Sequence, residues 1–185
     1  MFAFRTILNS VVAALFVAVA GAASAQTDDR LTDLLDRLAD PDTQNWEIVE
    51  QEIIQRWAIS GSATADLLLS LGTAALDEGE TQVAISHLTA LVDHAPEFAE
   101  GWNARATAYY RAGLYGPAIY DIQHVLALNP NHFGAMIGLG IMLEDMGRSE
   151  EALEVFRAVH AIHPHRPDVE GAIQRIEHSL EGQTL

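Results

Sequence analysis

A 34-residue spacing recurs in six columns of this chain. Pro96, Pro130 and Pro164 keep it, as do Gly79, Gly113 and Gly147, and Ala84, Ala118 and Ala152. Gly72, Ala106 and Gly140 form a fourth column of small residues. Leu88, Ile122 and Phe156 form an apolar column, and Leu91, Val125 and Val159 form another. Six columns in register over three units imply one supersecondary unit stacked on copies of itself, because such a unit cannot bury its apolar face alone.

Each column has a physical task. Leu68, Leu71 and Ala75 recur at helical spacing and predict the buried face of a first helix. The small residue at Gly72, Ala106 or Gly140 lets a second helix approach closely. Gly79, Gly113 and Gly147 predict the end of the first helix, since glycine takes the left-handed capping conformation at little cost. Ala84, Ala118 and Ala152 give the second helix a thin contact surface, and Pro117 falls in a first helical turn, where a missing N–H is tolerated. Pro96, Pro130 and Pro164 close each unit by disfavouring helix in the residue before them.

The pattern resembles the tetratricopeptide repeat (TPR) family. Residues 99–132 carry it most fully, with Trp102, Tyr109, Gly113, Tyr115, Ala118, Ile122 and the closing Asn129-Pro130-Asn131. Residues 133–166 keep Leu139-Gly140, Gly147, Ala152, Phe156 and Pro164, and residues 65–98 keep Leu71-Gly72, Gly79, Ala84 and Pro96. Arg105 departs from the family, which usually has leucine there. The resemblance implies an all-α fold, a right-handed superhelical α-solenoid of three helical hairpins, with first helices lining a concave surface.

The flanks extend this plan. Leu31, Leu34, Leu35 and Leu38 share one helical face, and Trp46, Val49, Ile53, Ile54 and Trp57 share another after the break at Pro41-Asp42. Residues 26–64 are therefore expected to hold an N-terminal helical pair that caps the array. Val169, Ala172, Ile173 and Ile176 predict a C-terminal capping helix over 167–180, followed by a tail at 181–185.

The first 25 residues read as an export signal. Arg5 precedes the unbroken apolar stretch from Val11 to Ala20, and Ala23-Ser24-Ala25 supplies the A-x-A pattern of a cleavage site. That stretch falls short of the roughly 20 apolar residues a spanning helix needs. Cleavage after Ala25, a periplasmic or secreted location and no stable membrane anchor are the expectations. With no cysteine in the chain, a lipid thioether and disulfides are excluded. Residues 26–185 hold 9 arginines, no lysine and 26 acids, a net charge of −17. Such a chain repels phosphate backbones and anionic lipid, so nucleic acid and polybasic membrane docking are not expected.

Carrying the family's groove positions onto this sequence selects Asp66, Leu69, Thr73, Leu76 and Asp77 in the first unit. The second supplies Glu100, Asn103, Thr107, Tyr110 and Arg111, and the third Ile137, Ile141, Glu144 and Asp145, with Arg175 beyond them. The implied function is an exported adaptor or scaffold that holds a protein or peptide partner. An apolar strip of this kind needs covering by a partner's segment, by a second copy of the chain in a homo-oligomer, or by Trp46 and Trp57 in cis. The TPR class that grips C-terminal carboxylates uses several basic groove residues, whereas only Asn103, Arg111 and Arg175 are suitable here.

His160, His163 and His165 cluster around Pro164, and His160 and His163 are spaced to share a helix face, as metal ligands would. No carboxylate or cysteine completes a recognised zinc pattern, and histidines also suit helix C-termini through the dipole. Metal handling is therefore the weakest of three readings, after partner binding and self-assembly. The chain contains no G-x-S-x-G, H-E-x-x-H or phosphate-cradling glycine loop. Neither catalysis nor a cofactor is expected.

Overall fold

The three glycines one period apart are helix stops. Gly79, Gly113 and Gly147 have φ of 80°, 73° and 71°, and the residue after each donates its N–H five positions back. Glu80 N bonds Ala75 O at 2.8 Å, Leu114 N bonds Tyr109 O at 2.8 Å and Arg148 N bonds Leu143 O at 2.8 Å. The same capping geometry thus satisfies otherwise orphaned carbonyls three times.

The computed structural model describes residues 29–182; the leader expected at 1–25 lies outside them. The described residues form nine α-helices: α1 (Asp29–Ala39), α2 (Trp46–Trp57), α3 (Ala63–Asp77), α4 (Thr81–His94), α5 (Ala99–Arg111), α6 (Tyr115–Leu128), α7 (Phe133–Asp145), α8 (Ser149–Ile162) and α9 (Pro167–Gly182). Hairpins α3–α4, α5–α6 and α7–α8 stack in order as an α-solenoid, and α9 packs on α8. α9 continues through Glu181 and Gly182, two residues into the stretch expected to be a tail.

The small-residue column sets the hairpin spacing. A Cβ added at Gly72 would lie 2.5 Å from Leu88, and one at Gly140 would lie 2.7 Å from the Phe156 ring. Two apolar clusters result. Ala65, Leu76, Ala84, Leu88 and Leu91 join Ala104 and Ala108 in one, while the second and third hairpins share the other with Val169, Ala172 and Ile176 of α9.

The N-terminal pair is not a cap on the first hairpin, as chain order suggests. Leu34, Leu38, Val49 and Ile53, each 2% exposed or less, belong to the cluster of the second and third hairpins. α1 packs on α8, and α2 runs along the turns that join successive hairpins. Trp57 stacks on His132 at 4.6 Å, and Trp46 stacks on His165 at 5.6 Å. Arg166 Nη1 bonds Glu50 Oε1 at 2.8 Å, and His165 Nε2 donates to Asp40 O at 3.0 Å.

Candidate partner-binding groove

The first helices α3, α5 and α7 present their remaining face to the concave side. Between α5 and α7 lies a depression of about 260 Å³, lined by Asn103, Ala106, Thr107, Tyr110, Ile122, Gly134, Ile137, Gly138, Ile141 and Met142. A second, of about 300 Å³, is bounded by Glu50, Ile54 and Trp57 of α2 together with Glu100, Asn103, His132, Phe133, Gly134, Ile137 and Arg166. The chain's own α2 therefore walls one end of the groove and leaves the floor between α5 and α7 open.

The structure sorts the residues selected from sequence. Ile141, 40% exposed, half-buried Ile137, exposed Thr107 and half-buried Tyr110 line the open floor with Asn103. In the first hairpin, Thr73 is exposed and Leu69 is half-buried against that hairpin's cluster. Two positions are corrected. Leu76 is only 6% exposed and belongs to the core, because its carbonyl edge, not its side chain, meets the next hairpin. Arg111 Nη1 donates to that carbonyl at 2.7 Å, so its guanidinium caps the C-terminal end of α3 instead of meeting a ligand.

The other polar groups are held in place by neighbours. Tyr110 donates its hydroxyl to Asp145 Oδ2 at 2.9 Å, and this bond raises the phenol pKa above its usual value. Asn103 Nδ2 donates to Glu100 Oε1 at 3.1 Å, and Thr107 Oγ1 donates to Asn103 O at 3.1 Å. Arg175 Nη2 bonds both oxygens of Glu144, at 3.0 and 2.8 Å. Of the three groups suited to a carboxylate grip, Arg111 and Arg175 are thus already engaged. The groove is an apolar floor with a fixed acidic rim.

The histidines of the cluster serve packing. His163 is fully buried among Trp46, Phe133 and His165, and burial holds its pKa below the usual 6.5. Glu50 Oε1 lies 3.5 Å from its Nε2. No group of three or more His, Cys, Asp or Glu able to hold a metal occurs among the described residues. His132, missed by sequence reasoning as a site-forming residue, accepts the Ala135 N–H at Nδ1 and donates from Nε2 to Glu100 Oε2 at 3.0 Å. It thereby caps α7 and fixes Glu100 at the groove rim. Among the described residues, no helix is long and apolar enough to cross a membrane.

Comparison with known proteins agrees with this architecture. A tetratricopeptide repeat family model matches residues 69–124. A TPR repeat-containing protein of Rhizobium etli is 31% identical over 163 residues, covering 88% of this chain and 79% of the relative. The human Protein SGT1 homolog is 31% identical over 99 residues, which cover 54% of this chain and 27% of that protein. Among solved structures, the first TPR domain of Spaghetti (RPAP3) bound to the HSP90 peptide SRMEEVD aligns with a TM-score of 0.62 at 24% identity, covering 65% of this chain and 95% of that one. The crystal structure of MamA aligns with a TM-score of 0.60 at 25% identity, covering 63% and 68%. With the 34-residue register, the repeated glycine caps and a relative aligned along most of both chains, this chain belongs to the tetratricopeptide repeat family.

Proposed function

We propose that this protein is an exported adaptor that binds a segment of a partner protein in its concave groove. The open depression between α5 and α7 carries the reading, because Ile137, Ile141 and Tyr110 form an apolar floor that the chain's own N-terminal pair leaves uncovered. Preformed helices lose little entropy on binding, so a few central anchors supply the affinity. The solved TPR neighbour bound to an HSP90 peptide supports segment capture as a use of this fold. The acidic rim of Glu100, Glu144 and Asp145 favours an apolar segment flanked by basic residues over an acidic C-terminus. The leader residues up to Ala25 support export.

Crosslinking capture from the exported compartment tests this directly, with the parent and Ile141→Asp run side by side. Ile141 is exposed, so the substitution leaves the core intact, whereas Ile137 packs against it. A partner enriched by the parent and lost from the variant is the expected result. Identical recoveries from both chains would remove the groove from consideration.

A further inference from the structure

The two depressions of the groove are continuous, because Asn103, Gly134 and Ile137 line both. They differ in chemistry. The one between α5 and α7 has an apolar floor. The one of about 300 Å³ beside α2 is lined by Glu50, Glu100, Trp57 and Arg166. A segment that seats an apolar residue on Ile137 and Ile141 therefore carries its neighbouring residues across this second depression.

The charges there do not cancel. Arg166 bonds Glu50 through Nη1 at 2.8 Å and Asp168 through Nε and Nη2 at 2.8 and 2.6 Å. Glu100 meets no lysine or arginine among the described residues: its Oε1 accepts from Asn103 Nδ2 and its Oε2 from His132 Nε2. His132 takes the Ala135 N–H at Nδ1, so the ring donates to Glu100 with its single proton and brings no positive charge. Three carboxylates thus share one guanidinium. Two of them are largely withdrawn from water, the Glu50 side chain to 15% exposure and that of Glu100 to 24%, and charges so placed are screened less than those at an open rim. Glu50 Oε2 receives no hydrogen bond among the described residues.

The other acids of the groove are differently placed. Arg175 bonds both oxygens of Glu144 and neutralises it. Asp145 is exposed and already accepts from the hydroxyls of Tyr110 and Tyr115 at 2.9 and 3.4 Å. Glu100, held from two sides, needs little further ordering when a cation arrives. An acidic residue at the same place meets only the excess negative charge. Holding Arg166 and His132 explains where these acids sit but not the uncompensated charge.

We infer that the depression beside α2 is a pocket for a lysine or arginine side chain of the captured segment, next to the apolar anchor, with Glu50 and Glu100 as its acceptors. The N-terminal pair then belongs to the recognition surface, because α2 supplies Glu50 and Trp57. This inference rests on the groove reading above, and one experiment separates the two.

Random short peptides displayed on phage are selected on the protein purified from its own cell, on Ile141→Asp and on Glu50→Gln/Glu100→Gln. The parent enriches peptides with an apolar residue and a lysine or arginine at a fixed spacing from it. The double glutamine variant keeps the apolar residue and loses the basic one, and Ile141→Asp loses the motif. An enriched peptide is then synthesised and its affinity measured by fluorescence anisotropy. Norleucine in place of the basic residue weakens binding to the parent about tenfold and to the double variant less than about twofold. Circular dichroism checks that the variants are folded. Glu100→Gln alone keeps an acceptor oxygen for His132 Nε2 and leaves the Glu50–Arg166 pair intact; in it the norleucine effect falls to about threefold or less. An apolar motif with no basic residue, or a norleucine loss equal in parent and glutamine variants, overturns the pocket and leaves the groove standing. Peptides that bind the parent and Ile141→Asp alike, or no enrichment on the parent, overturn both.

Discussion

Arg105 occupies a place where the family usually has leucine, and its surroundings explain how the fold accepts it. Its Nε and Nη2 bond Asp121 Oδ2 and Oδ1 at 2.7 and 2.9 Å, and the guanidinium lies over the Trp102 ring at 5.0 Å. Asp121 is 1% exposed, so the bidentate fork satisfies a carboxylate that water does not reach. Restoring the family residue is therefore expected to destabilise. Arg105→Leu leaves a buried charge unpaired and loses about 3–5 kcal/mol, while Arg105→Leu/Asp121→Leu recovers most of it. Urea unfolding of both variants checks this; a loss below about 1 kcal/mol for the single change would mean that Asp121 is not desolvated. The departure at Arg105 was legible in the sequence, but its partner was not. A carboxylate on the next helix looks like any solvated acid until packing shows which face it is on. Arg111 is similar: its charge and position suggested ligand binding, and only the stacked neighbour reveals the Leu76 carbonyl it caps.

At the scale of the helix, α7 contains two glycines with opposite roles. Gly140 stands in the small-residue column, with Phe156 ring atoms 2.7 Å from where a Cβ would be, whereas Gly138 faces open space on the groove floor. Alanine raises intrinsic helix stability by up to about 1 kcal/mol at either site. At Gly138 nothing opposes that gain, and thermal unfolding should shift upward. At Gly140 the added methyl drives the ring off its position, an overpacking cost of about 1–3 kcal/mol, so the melting temperature falls. Equal shifts of the same sign would refute the close packing of α7 on α8. The repeat register alone does not make this distinction readable, because Gly140 has small counterparts at Gly72 and Ala106 and Gly138 has them at Ser70 and Ala104. Register did locate the helices and their glycine stops, since those are local requirements repeated three times. It failed for Leu71, which the helical spacing assigns to the buried face with Leu68 and Ala75 and which the structure leaves 41% exposed.

For the whole molecule, the main departure from chain order is the N-terminal pair, and its docking carries a pH dependence. Amphipathic spacing in α1 and α2 specifies which face is buried and leaves the recipient surface open. That choice is made by the ring contacts of Trp46 and Trp57 with histidines in turns about a hundred residues away. His163 is fully buried in this interface, facing Glu50 and Trp46 on α2, Phe133 on α7, and His165 and Arg166 in its own turn. Desolvation, with Arg166 and His165 adding to it, outweighs the attraction of Glu50 and keeps the folded pKa below 6.5. The unfolded chain then binds the proton first as pH falls below about 6.5, so stability is full above that value and declines toward the folded pKa. Equilibrium unfolding at a series of pH values, followed through tryptophan fluorescence, should show this decline in the parent. The variant His163→Leu, which keeps a buried side chain of similar size, should have a flatter profile over the same interval. Parallel profiles would mean that other groups govern the acid response and that the interface tolerates a charged His163. A flatter profile in the variant would assign this part of the acid response to the buried His163 at the α2 interface.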